Sequence, residues 1–135
     1  MAVVPTWKVA VVPRRVLIVD ADSDSRTVYR IMLQHHGYEV HEVDDGERAL
    51  EVLRRDPFHV VVTELTLRTM DGIELLTRLQ AEPRPEPVCV VVLTARALPE
   101  DRPRALQAGC TSFLMKPVGP HVLLDEIRGL TERSD

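Results

Sequence analysis

A chain of 135 residues with 44% hydrophobic and 28% charged residues has the length of one domain and the apolar content of a packed core, which excludes a disordered chain. A formal net charge of -4 gives no general affinity for nucleic acid, and the basic pairs Arg14-Arg15 and Arg54-Arg55 read as solvated surface. Two cysteines, Cys89 and Cys110, are too few for a disulfide framework and suit reduced structural thiols of a cytoplasmic protein; no apolar run reaches the ~20 residues of a membrane span.

Residues 1–13 are apolar but interrupted by Pro5 and Pro13, without the long apolar core of a signal peptide. They predict a poorly ordered extension ahead of a single domain over residues 14–132. Val16-Leu17-Ile18-Val19 is a short continuous apolar run, as in a strand buried on both faces, and it ends at Asp20. Val28, Ile31, Met32 and His35 then recur at helical spacing and predict the inner face of a first helix, stopped by Gly37. Residues 38–43 alternate as a second strand. Asp44 with Glu47 three residues on resembles a capping box, and Ala49, Leu50 and Leu53 give the next helix its inner face before Pro57 ends it.

Residues 58–63 predict a third strand that delivers Glu64. Asp71 and Gly72 form a turn and N-cap, and Ile73, Leu75, Leu76 and Leu79 mark a third helix. Pro83, Pro85 and Pro87 punctuate the loop that follows. Residues 88–93 are a fourth buried strand delivering Thr94. A fourth helix falls within residues 99–108, stopped by Gly109, but Pro103 forbids a regular helix through the whole stretch and favours a start near itself. Residues 111–115 are a fifth strand delivering Lys116. Gly119-Pro120 opens a last helix with Leu123, Leu124, Ile127 and Leu130 inside.

Five β-α units in succession imply an α/β, doubly wound parallel sheet with helices on both faces. Right-handed crossovers restrict its topology, and ligands bind such sheets outside the carboxyl ends of the strands. Asp20, Glu64, Thr94 and Lys116 all fall at that end. The five histidines show no metal-ligand spacing, and no glycine-rich phosphate loop follows any strand.

The stretches VLIVDAD (16–22), GYEV (37–40), DDGERAL (44–50), MDGIELL (70–76), VVVLTA (90–95) and ALQAGCTSFLMKPV (105–118), in this order and spacing, resemble the receiver domain of two-component response regulators. The resemblance implies a flavodoxin-like five-stranded sheet in the order 2-1-3-4-5. It also implies a chemistry. Two adjacent acids ending the first strand hold Mg²⁺, and an Asp ending the third strand attacks a phosphoryl donor. A Thr or Ser and a Lys, ending the fourth and fifth strands, contact the bound phosphoryl group. In-line attack by a carboxylate on an anionic donor needs its repulsion neutralised, which explains the metal and the lysine.

Asp20 matches the first acid, Thr94 the hydroxyl, Lys116 the cation and Phe113 the aromatic switch position. Ala21 stands in place of the metal-binding acid, Glu64 in place of the phospho-acceptor, and Arg68 in place of the usual Pro. Asp22, one residue further along, points elsewhere and does not replace the lost acid. Glu64 reaches about 1.5 Å further than Asp, and a misplacement near 1 Å costs roughly 10²-fold in rate. It either mimics a phosphoryl group with one charge in place of roughly two, or merely forms an ion pair with Lys116.

The expectation is therefore a non-enzymatic pseudo-receiver with no catalytic residue, no metal and no Mg²⁺ cofactor, working in signal transduction through a protein partner. The alternative is a weakly phosphorylatable receiver using Glu64 and Asp20 with Mg²⁺. No nucleic acid or membrane is expected as a partner, and a homodimer is one arrangement open to the chain. Phe113, lacking the hydroxyl of Tyr, is expected to pack inward. The fourth-helix face, with Arg102, Arg104 and Gln107, is the expected partner surface.

Overall fold

The computed structural model describes residues 13–132, so the extension expected over residues 1–13 lies, Pro13 apart, outside the described residues. Ten elements alternate along the chain: β1 (Arg15–Val19), α1 (Ser23–His35), β2 (Glu39–Val43), α2 (Gly46–Arg55), β3 (Val60–Thr63), α3 (Gly72–Ala81), β4 (Cys89–Thr94), α4 (Asp101–Gln107), β5 (Ser112–Met115) and α5 (Pro120–Thr131). The five strands form one sheet in the order β2-β1-β3-β4-β5. Every neighbouring pair is parallel. This is the doubly wound order that the sequence implies.

The inner strands β1, β3 and β4 are almost wholly apolar because both sheet faces are covered there, and alternate residues feed two separate cores. Leu17, Val19, Val61, Val90 and Val92 pack with Leu50, Leu53, Leu75, Leu76 and Leu79 beneath α2, α3 and α4. Val16, Ile18, Val60, Val62, Val91 and Leu93 pack with Leu33, Leu123, Leu124 and Ile127 beneath α1 and α5. On the edge strand β2, Val40 packs into the α1/α5 core and Val43 into the opposite one, while Glu39 and His41, nearer the strand's start, stand exposed. Among the described residues no helix is long and apolar enough to cross a membrane.

Helix α1 corrects the sequence reading of its inner face. Its buried residues are Tyr29 and Leu33, with Met32 partly buried against the same core. Val28 and Ile31 are 51% and 56% exposed, and His35 is exposed too. Two effects set this phase. Tyr29 and Leu33 remove more apolar surface than Val28 and Ile31 do. Arg26 and Arg30, one turn apart, both reach Glu42 of β2, at 2.9 and 2.6 Å, and pin the helix over the sheet edge. The apolar spacing correctly marks a helix but not which apolar stripe faces in.

Two helix starts also differ in detail. The N-cap of α2 is Asp45, accepting from the Arg48 amide, rather than Asp44. Helix α4 is cut to seven residues, with Pro103 as its third. A first-turn residue has no intrahelical acceptor to lose, so the proline is harmless there. The first helical bond runs from the Arg104 amide to the Glu100 carbonyl. The preceding residues are held separately, with the Asp101 carboxylate accepting from the Leu98 amide at 2.7 Å.

Gly72 opens α3 directly against the end of β3. A Cβ there would lie 2.5 Å from the Glu64 carbonyl oxygen and 3.0 Å from the Leu65 Cα. Gly72→Ala should therefore cost about 1–3 kcal/mol, because rigid backbone must move to admit it. Gly129, in α5, has nothing within 4 Å of the same position, so Gly129→Ala should stabilise by about 0.5–1 kcal/mol. Urea midpoints of the two variants check both; equal midpoints would show that the Gly72 contact is not rigid.

Candidate functional site

Strands β1, β3, β4 and β5 deliver Asp20, Glu64, Thr94 and Lys116 to the carboxyl end of the sheet. Asp20, Glu64 and Lys116 meet there. The Lys116 Nζ lies 2.9 Å from Asp20 Oδ2 and 3.5 Å from Glu64 Oε1. All three side chains are nearly enclosed, at 15%, 10% and 11% exposure for Lys116, Asp20 and Glu64. Burial alone would lower the lysine's pKa, but the Asp20 hydrogen bond and the charges of Asp20 and Glu64 raise it above its ordinary value. The peptide joining Lys116 to Pro117 is cis.

Each carboxylate has further partners. Asp20 Oδ1 accepts from the Asp22 amide at 2.9 Å. Glu64 Oε2 accepts from its neighbour's amide, Leu65, at 2.7 Å, and Glu64 Oε1 accepts from the Ala95 amide at 3.3 Å. The extra methylene of Glu64 thus carries its carboxylate to a backbone donor beyond the next strand. Thr94 is fully buried, and its hydroxyl donates to the Arg96 carbonyl at 3.0 Å, within the β4–α4 loop.

Ala21 brings no oxygen side chain to this cluster. Asp22 caps α1, accepting from the Asp24 amide at 3.3 Å and the Ser25 hydroxyl at 2.8 Å. The Ser25 hydroxyl holds its carboxyl below the usual range. Arg68 lies outside the cluster, exposed and 3.9 Å from Asp44. Phe113 is partly buried and packs on the core beneath α2, α3 and α4, opposite Val92 of β4. Arg102, Arg104 and Gln107 all stand exposed on α4, with Arg104 3.7 Å from Asp101.

Three contributors carry no mark in the sequence. Arg26 donates to the Asp20 carbonyl at 2.6 Å while its Nε holds Glu42, so it braces the β1–α1 turn. The amides of Leu65 and Ala95 contribute through backbone, to which side-chain identity gives no clue. An open cleft of about 450 Å³ lies alongside, lined by Arg26, Glu42, Val43, Asp44, Asp45 and Arg48. Its walls mix both charges, and none of the four strand-end residues lines it.

Both ends of the pH scale should report these pairs. Lys116 has a raised folded pKa, so its contribution is complete below its ordinary 10.5 and is lost as pH climbs through the folded value. Burial pushes Glu42 up, but hydrogen bonds from Arg26 and Arg30 outweigh it and hold the group below its ordinary 4.5. Its contribution is present above that value and is lost as pH falls through the folded one. Acid denaturation of Glu42→Gln should accordingly be less steep than that of the wild type. Lys116→Met leaves Asp20 enclosed without a cation and should cost about 3 kcal/mol at neutral pH, read as a urea midpoint. An unchanged midpoint would show that the ion pair contributes no net stability.

Residues 16–128 match the family model of the response regulator receiver domain. The chain is 37% identical over 109 residues to an uncharacterized 14.6 kDa protein of Leptolyngbya boryana, covering 81% of this chain and 83% of that one. It superposes on a CheY-like receiver domain protein of Methanospirillum hungatei with a TM-score of 0.82 and 30% identity, over 87% of this chain and 93% of the other. It is also similar, with a TM-score of 0.79 and 25% identity over 87% and 88% of the two chains, to a structure of the Saccharomyces cerevisiae histidine phosphotransfer protein Ypd1 with the receiver domain of Ssk1. With the sheet order, the strand-end residues and the family match in agreement, the chain belongs to the response regulator receiver domains.

Proposed function

We propose that this receiver domain signals in the cytoplasm as a pseudo-receiver: it is not phosphorylated by the usual aspartate chemistry, it is not an enzyme, and it acts through a protein partner. The observation that carries this reading is the prior commitment of both carboxylates. Glu64 uses its two oxygens on the amides of Leu65 and Ala95, and Asp20 uses its two on Asp22 and Lys116. Each such bond fixes the direction of its oxygen and withdraws charge from it, whereas a nucleophile must lie in line with its donor.

A Mg²⁺ ion does not fit the side chains present. It demands near-octahedral oxygen ligands at about 2.0–2.1 Å. Ala21 offers no side-chain oxygen, Asp22 caps α1, and the remaining two acids already share Lys116. The similarity to the receiver domain of Ssk1 supports a protein as the partner. The exposed Arg102, Arg104 and Gln107 on α4 supply the candidate contacts. Because no phosphoryl ligand distinguishes two states of the domain, binding is constitutive.

Incubation with Mg²⁺ and acetyl phosphate should leave the mass of the intact protein unchanged, and beryllofluoride should not bind. A phosphoryl mass shift on Glu64 would favour a weakly phosphorylatable receiver. Restoring both positions, Ala21→Asp with Glu64→Asp, should recover Mg²⁺ binding by calorimetry and some phosphorylation. Association with the native signalling partner should be indifferent to acetyl phosphate and be lost in Arg104→Glu.

A further inference from the structure

We propose that α1 carries a docking face for a second copy of this chain, which packs there helix against helix, antiparallel, about a two-fold axis. Among the described residues, Val28 and Ile31, at 51% and 56% exposure, are the only exposed large hydrophobics that share a helix. Leu106 on α4 and Val122 on α5 stand singly, as scattered surface residues do. Val28 and Ile31 lie one turn apart on one face of α1. The contacts of Arg26 and Arg30 with Glu42 hold the helix with that face outward. Both side chains are β-branched and already restricted to one rotamer in a helix, so covering them orders little that is not ordered beforehand.

The charge pattern names the occupant. Asp24, Val28, Ile31 and His35 form one exposed stripe at helical spacing, apolar in the middle and polar at both ends. A two-fold axis crossing α1 between Tyr29 and Arg30 sets Val28 against the partner's Ile31 and Asp24 against the partner's His35. The pairing is reciprocal, as an isologous interface requires. A carboxylate accepts from an imidazole N–H in either charge state of the histidine. The flanks agree with this direction: Asp22 precedes the helix beside Asp24, while His36 and Arg128, 3.2 Å apart, stand beside His35. A parallel arrangement would bring acid to acid. Helices α1 and α4 cover opposite faces of the sheet, so the contact leaves the α4 surface open. The stripe spans about 16 Å of helix. That is the small end of specific interfaces and implies a dissociation constant on the order of 10⁻⁴ M.

Sedimentation velocity of the full chain, over concentrations passing through about 10⁻⁴ M, should show a reversible monomer–dimer equilibrium. Ile31→Glu should weaken it at least roughly tenfold, and Leu106→Glu should leave it unchanged. His35→Asp sets two acids together and should weaken it by a similar factor, and adding Asp24→Lys to His35→Asp should restore it. Both charge changes oppose the dipole of α1, so the recovery cannot come from a more stable helix. Urea midpoints identify the folded variants, and Ile31→Gln takes the place of Ile31→Glu should the latter fail to fold. A monomer at every concentration overturns the proposal. A dimer broken by Leu106→Glu but not by Ile31→Glu places the contact on α4 and overturns it as well, as does a double variant that associates no more tightly than His35→Asp alone.

Discussion

Asp20 and Glu64 end neighbouring strands, β1 and β3, and both lean on an ammonium group delivered by β5. Two nearly enclosed carboxylates on adjacent strands repel each other, and burying such charge unpaired is costly, so the pair needs a cation beside it. Lys116 meets that need from the other side of the sheet. The parallel order makes this encounter unavoidable: all five strands run the same way, so all five expose their carboxyl ends together. The helices on both faces are what return the chain to begin each strand again.

The site depends on the cores beneath it. Leu17 and Val19 hold one face of β1 while Val16 and Ile18 hold the other, and all four are at most 2% exposed. A strand locked on both faces cannot slip by one residue without exchanging its two sets of side chains. That fixes where Asp20 emerges. Thr63 and Val62 do the same for Glu64, and Gly72 adds a backbone contact from α3. Tyr38 and Thr131 share a buried hydrogen bond of 2.9 Å that ties the start of β2 to the end of α5, far from the pocket.

The fold and the strand-end residues were legible in the sequence because parallel strands announce themselves as apolar runs and each ends at a polar residue. Pro103 likewise foretold a short α4, since the chemistry of proline acts locally. What remained hidden was relational. The phase of α1 followed from Arg26 and Arg30 finding Glu42, a partner on another element that spacing alone does not disclose. The donors to Glu64 are amides, which every residue but proline possesses. Sequence named the anion and the cation of the site but not the backbone between them.

The substitution of Glu for Asp is best understood through where its charge arrives. The Glu64 carboxylate reaches the Ala95 amide and so spans two strands with a single side chain. An external ligand biases a conformational equilibrium in proportion to its concentration and its differential affinity. A tethered carboxylate is always present, so on the proposed reading any bias it exerts is a constant of the chain. Its single charge is smaller than that of a phosphoryl group. The burial of Thr94 and the inward packing of Phe113 coexist with this arrangement. On the proposed reading, the domain exchanges responsiveness for permanence, with the charge beside Lys116 furnished by the residue that ends its own third strand.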